Sequence, residues 1–245
     1  MSSDPIESGE VESEALFPHF GQEAHLQGIR GWGIQRVLQH RCDLDGSAEI
    51  VEDGNSGVSL VDLSIQVAEC RNCDLCKTRN RTAFGVGAAD ADLMFVGEAP
   101  GQQEDLKGEP FVGPAGQLLN RMIGAMGLER DQVYIANVLK CRPPENRDPR
   151  PPEVAACSAY LKAQIELVRP KILVALGRPA ACWLTGQETA LARLRGKVHD
   201  WHGIPVIATY HPAYLLRQEQ YKADCWQDLQ EVIGRLGLTP ASGRS

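Results

Sequence analysis

An α/β fold of three layers, with helices on both faces of a central, mainly parallel four-stranded sheet, is predicted by two features of this chain. Short continuous apolar runs alternate with longer stretches of helical periodicity, the pattern of strands buried on both faces and joined by crossover helices. Each run also ends in a polar or glycine-bearing segment, and the carboxyl ends of strands are where such sheets bind ligands.

Along the chain, Leu60, Leu63, Ile65 and Val67 open the ordered part and lead into a first pair of cysteines. Leu93-Met94-Phe95-Val96 is the first strand, running into Gly97-Glu98-Ala99-Pro100-Gly101; Leu118 to Met126 reads as a helix. Val133-Tyr134-Ile135-Ala136 is the second strand, continuing into Asn137-Val138-Leu139-Lys140-Cys141. Val154 to Val168 is a helix with Pro151 and Pro152 at its start, where proline costs no hydrogen bond. Ile172 to Leu176 and Val206-Ile207-Ala208 complete the strands, with a short helix from Pro179 between them. Gly177-Arg178 and Thr209-Tyr210-His211-Pro212 are the turns after these strands, so four loops are expected to meet on one edge.

A chain of 245 residues, 43% of them hydrophobic, can bury one substantial core. Residues 1–59 read as an acidic, mostly disordered extension, 60–238 as one globular domain and 239–245 as a flexible tail. Residues 1–62 hold twelve acidic and three basic side chains, whereas 63–245 hold twenty acidic and twenty-two basic ones. The net charge of −7 therefore belongs to the extension, and the domain is mildly cationic, which is compatible with a polyanionic partner. No run of eighteen apolar residues and no basic-then-apolar start occurs, so neither a membrane span nor a secretory signal is predicted and a cytoplasmic location is expected.

Cysteines in a reducing compartment favour metal ligation or burial over disulfides. Cys70 and Cys73 form a C-x2-C pair, and Cys141 and Cys157 flank a proline-rich, basic segment. Four such thiolates suit zinc or an iron–sulfur cluster. Cys76 extends the first pair to C-x2-C-x2-C, which leaves a second ligand set open. Cys42, Cys182 and Cys225 read as packing residues.

Taken together, the loops resemble the family 4 uracil-DNA glycosylases, the iron–sulfur branch of the uracil-DNA glycosylase superfamily. The resemblance runs from Cys70 to Arg217 and rests on many short motifs in order. They are Gly97-Glu98-Ala99-Pro100-Gly101 with Glu104-Asp105, Pro110-Phe111-Val112-Gly113 with Ala115-Gly116, and Asn137 with Lys140-Cys141-Arg142-Pro143-Pro144. Asn146-Arg147, Cys157, Leu176-Gly177, Arg195-Gly196 and His211-Pro212-Ala213-Tyr214-Leu215-Leu216-Arg217 come after them. The resemblance implies a glycosylase of base excision repair, a hydrolase of N-glycosyl bonds that removes uracil from single- or double-stranded DNA. It also implies a [4Fe–4S] cluster on Cys70, Cys73, Cys141 and Cys157, with Cys76 a spare buried thiol and zinc the rival metal.

Chemistry gives these residues roles. An enzyme acting on a base must hold it outside the stack, with a π-face against the ring, an amide matching O4 and N3–H, and a donor facing O2 as charge develops. Phe111, Asn137 and His211 suit those tasks, with Gly97 and Ala99 lining the base. Singly, each of the three has a plainer reading, as core ring, turn former and His-Pro turn; their arrival at one sheet edge favours the shared pocket. The resemblance places Glu98 where the first motif lines the sugar, and a carboxylate there can steady the cationic sugar, orient water or take its proton, with Glu104 or Asp105 as helpers or as a solvated helix start. Leu215 is expected to wedge between bases, Arg217 to meet phosphate, and Lys140, Arg142, Arg147 and Arg150 to form a basic strip along the DNA.

Two alternatives differ in kind. A neighbouring branch captures uracil-DNA covalently through a histidine, and Arg195-Gly196-Lys197-Val198-His199 occupies the comparable place, although Ala99 and Gly196 depart from that branch's pattern. A noncatalytic DNA-binding module is the other. A monomer is expected, with the acidic extension reaching a repair or replication protein.

Overall fold

The computed structural model describes residues 58–241. The expected disordered extension, with Cys42, and most of the expected tail lie outside the described residues. Helix α1 (Leu60–Ala68) starts at a reciprocal cap in which the Asp62 amide donates to Ser59 Oγ and the Ser59 amide donates to the Asp62 carboxylate. Strands β1 (Val86–Gly87) and β2 (Leu93–Gly97) precede the short helix α2 (Gln102–Lys107) and helix α3 (Pro114–Ala125). Next come β3 (Tyr134–Asn137), α4 (Pro151–Val168), β4 (Ile172–Leu176), α5 (Arg178–Thr185) and α6 (Leu191–Leu194). The hairpin of β5 (Val198–Trp201) and β6 (Ile204–Thr209), then α7 (Pro212–Leu215) and α8 (Lys222–Leu236), complete the fold.

Among the described residues the sheet has six strands, in the order β1-β3-β2-β4-β6-β5. Its four central strands are mutually parallel and are those the apolar runs predict. The two further strands are antiparallel edges. They escape a search for continuous apolar runs for a physical reason: that pattern marks strands covered on both faces, whereas β1 is two residues long and β5 alternates exposed and half-buried positions.

Side chains alternate across the pleat, so each central strand feeds two cores. Met94, Val96, Ala136, Leu173, Ala175 and Val206 face Leu161 and Ile165 of α4 and Leu184 of α5. Phe95, Ile135, Val174, Leu176 and Ile207 face Leu119 and Ile123 of α3 and Leu229 and Val232 of α8. This double coverage makes the three layers and leaves the carboxyl edge of the sheet open to the loops.

Candidate active site and cysteine pocket

The ladder brings the strand ends level, pairing Gly97 with Asn137 and Leu176 with Thr209. The loops leaving these strands therefore converge. The rings of Phe111 and His211 lie 5.5 Å apart, tilted by 31°. A methyl group on Gly97 would collide with Asn137 Oδ1 and stand 2.6 Å from Phe111 Cζ, so these three residues share a space that admits no further side chain. Gly177, at φ +90°, likewise lets His211 approach, since a Cβ there would lie 3.1 Å from the His211 Cβ. Ala99 is half-buried, its methyl against the core below.

Asn137 is buried, and its Oδ1 is the one buried side-chain oxygen or nitrogen among the described residues with no hydrogen-bond partner. Such an acceptor costs roughly 1–3 kcal/mol and calls for an explanation; a ligand N–H supplies one. His211 accepts the Ala213 amide on Nδ1 at 3.1 Å, which places the neutral ring's proton on Nε2. Burial, then the positive charge of Arg217, push its pKa down to about 4 against a smaller pull from Glu104, so the ring is uncharged at pH 7. Glu98 goes the other way. Burial, helped by the Asp148 carboxylate, raises it to about 7.

Phe111 sits at φ +54°, a region few residues with side chains occupy, and its flanks are pinned. Glu104 Oε1 accepts the amides of Val112 and Gly113 at 2.9 and 2.8 Å, and Arg130 donates to the Pro110 carbonyl at 2.6 Å. Asp105 is buried and accepts the amide and side chain of Asn80. Asp105 therefore has both oxygens engaged, while Glu104 is half-buried with Oε1 committed to the loop.

The DNA-facing expectations need three corrections. Leu215 is 1% exposed, packed into the core between α7 and the sheet, whereas Leu216 is 40% exposed. The short helix turns one leucine in and the next out, so Leu215 is no wedge. Lys140 does not join the basic strip: it is fully buried, donating from Nζ to the Asn137 carbonyl at 2.7 Å and Gln164 Oε1 at 2.5 Å, and burial lowers its pKa to about 7. Arg147 is clamped in a two-pronged pair with Glu153 at 2.9 and 2.5 Å, neutralising a carboxylate at the start of α4. Arg142, half-buried and bonded to Asn146, and the exposed Arg150 and Arg217 remain on the surface.

The cysteines converge as well. Cys70, Cys73, Cys76, Cys141 and Cys157 line one pocket beside Tyr160. Cys76 is half-exposed and part of this lining, not a thiol buried elsewhere. Arg79 Nη1 donates to Cys141 Sγ at 3.1 Å and the Lys140 amide to Cys157 Sγ at 3.2 Å. Burial raises Cys73 and Cys141 and takes Cys157 up to about 12, which favours the protonated thiols. Cys182 and Cys225 are core residues.

His199 lies on edge strand β5 with Nε2 2.8 Å from the Leu194 carbonyl. Three contributors carry weaker signals in sequence. Gln164, which also donates to the Phe84 carbonyl and the Tyr134 hydroxyl, is detectable as a polar break in the apolar stripe of α4. Asp148 and Arg130 carry no periodic or motif signal.

The family model of the uracil DNA glycosylase superfamily matches residues 84–230, from the approach to β1 into α8. A type-4 uracil-DNA glycosylase of Archaeoglobus fulgidus is 47% identical over 182 residues, 71% of this chain and 92% of that protein. Type-4 uracil-DNA glycosylases of Sulfurisphaera tokodaii (43% over 191 residues, 74% and 86%) and Thermotoga maritima (46% over 157 residues, 63% and 82%) agree. The chain belongs to the uracil-DNA glycosylase superfamily and, within it, to the type-4 branch.

Proposed function

We propose that this chain is a DNA repair glycosylase that draws uracil out of DNA and hydrolyses its N-glycosidic bond, leaving an abasic site. The observation that carries this reading is the unpaired Asn137 Oδ1 beside Phe111. Uracil offers N3–H next to O4, which an amide matches by accepting one and donating to the other; cytosine offers the reverse pattern and is rejected. Phe111 supplies the stacking face.

As the C1′–N1 bond breaks, its electron pair leaves on uracil and an oxocarbenium-like sugar remains. The neutral His211 donates Nε2–H to O2 as negative charge gathers there, and Gly177 lets the ring come close. Water adds to C1′ and gives its proton to Glu98, whose raised pKa suits a base working near neutrality. Arg217 and Arg142 meet phosphate, and Leu216, by its exposure, takes the wedge position that Leu215 cannot.

The cysteine pocket fits an iron–sulfur cluster held by Cys70, Cys73, Cys141 and Cys157, whose part is to hold the loop after β3 in place. The sulfurs surround a shared space, and N–H donors are aimed at two of them, as thiolate ligands require. The working form is read as a cytoplasmic monomer on DNA; no helix among the described residues is long and apolar enough to cross a membrane.

The test is uracil release from U:G, U:A and single-stranded oligonucleotides, with Asn137→Ala alongside. Release by the wild type with about tenfold or greater loss in the variant, as expected when a pair left unmade strands a buried group, supports the reading. A covalent protein–DNA band without free uracil refutes it.

A further inference from the structure

Three tyrosines crowd the surface immediately beyond His211. Tyr210 and Tyr214 are stacked, with centroids 5.5 Å apart and planes 17° from parallel. Tyr221 closes the group, 5.0 Å from Tyr210 and 5.6 Å from Tyr214. Nothing in the uracil pocket uses them.

The group is anchored on one side and open on the other. The Arg195 guanidinium lies 4.1 Å from the Tyr210 ring centre, and that cation is itself held by Asp228 at 2.7 Å and Asp224 at 3.5 Å. Tyr210 therefore has little freedom, and neither has the ring stacked on it. Tyr214, by contrast, is 36% exposed. It stands on α7 between His211 and the exposed Leu216 and Arg217, and Arg217 forms no ion pair with any carboxylate among the described residues. A fixed, open aromatic ring next to an uncommitted cation is what a nucleic-acid strand uses: a face for a base and a charge for its phosphate.

We propose that Tyr214 is a stacking shelf for an unpaired base next to the extruded uridine on the same strand, an inference that rests on the uracil-excision reading. The occupant is a nucleobase because Tyr214 shares a short helix with His211, its N-cap, and stands beside the exposed cation of Arg217. Holding the ring in advance also removes most of the ordering cost that a free side chain incurs on binding.

Uracil release is measured on single strands whose uridine has normal neighbours, or an abasic residue on its 5′ side, its 3′ side or both, using wild type, Tyr214→Ala and Tyr214→Phe. On normal strands Tyr214→Ala is expected to raise KM on the order of tenfold with kcat little changed, and Tyr214→Phe to keep the wild-type value. Removing the stacked neighbour's base raises KM for wild type by a similar factor and leaves Tyr214→Ala indifferent. If wild type is indifferent to both neighbours, or the alanine variant's loss persists unchanged on abasic-flanked strands, the shelf is refuted and excision stands. No uracil release by wild type from any strand refutes the excision reading and the shelf with it.

Discussion

The uracil pocket and the cysteine pocket are built by different means. In the first, Gly97, Asn137 and His211 sit on or just after strands whose hydrogen-bond register sets their height, and Phe111 alone is held by side chains, those of Glu104 and Arg130. The second joins the segment after α1, the loop after β3 and the first turns of α4, which share no ladder and meet through sulfur, Arg79 and Tyr160. One site is preorganised largely by the sheet, and the other would depend on the cluster proposed for its thiols. A short bridge links them. Lys140 gives its amide to Cys157 and its Nζ to the Asn137 carbonyl, so disorder in the cysteine pocket has a direct path to Asn137.

If the sheet alone organises the chemistry, single changes in its loops act on rate and leave the fold intact. The largest loss is expected for Glu98→Gln, roughly 10²–10⁴ in kcat, with the rise in rate through about pH 7 abolished because no carboxylate is left to ionise. Stability moves oppositely. Folded Glu98 ionises near 7 and its unfolded form near 4.5, so the wild type loses stability as pH rises between those values. The variant is therefore expected to melt above wild type at pH 8 and level with it at pH 4. His211→Ala comes next, at about 10²–10³ in kcat, the usual cost of one donor to a developing anion. A pH–rate profile for both variants decides whether the pocket holds two groups of opposite role or one.

The cysteine pocket is expected to answer in stability first. If the pocket holds the proposed cluster, Cys157→Ser is expected to lose iron and brown colour and to melt roughly 5–10 °C lower, at about 2–4 °C per kcal/mol for a domain of this size. At a temperature where it is still folded, its KM for uracil-containing strands measures the Lys140 bridge. A KM equal to wild type would leave the two regions independent, and one raised in step with iron loss would make them a single unit. The smallest effect belongs to Asp148→Asn. Removing that charge should move the midpoint of the rate profile below 7 without reaching 4.5, because burial, the larger cause of the shift, stays.

Much of this is legible in the residues themselves. The four parallel strands, α3, α4 and the pocket loops carry unbroken apolar runs or fixed-offset motifs, signals that survive without coordinates. Edge strands carry no such signal, being covered on one side at most. The misplaced residues share a cause. Side-chain type alone puts Leu215, Lys140 and Arg147 against DNA, but a leucine next to a cation does not reveal which neighbour turns inward, and a lysine in a basic strip does not reveal that Gln164 and a carbonyl wait beneath it.

By itself the order of residues determined the layers, the parallel strands and the motifs that place Phe111, Asn137 and His211 in neighbouring loops, because periodicity and motif spacing are local properties. Tertiary structure alone decided which of those groups is buried, which carboxylate is engaged and which protonation state is favoured. Those depend on atoms distant in the chain: the desolvation that leaves His211 neutral, lifts Glu98 and strands Asn137 Oδ1 arises only once the four loops have closed on each other.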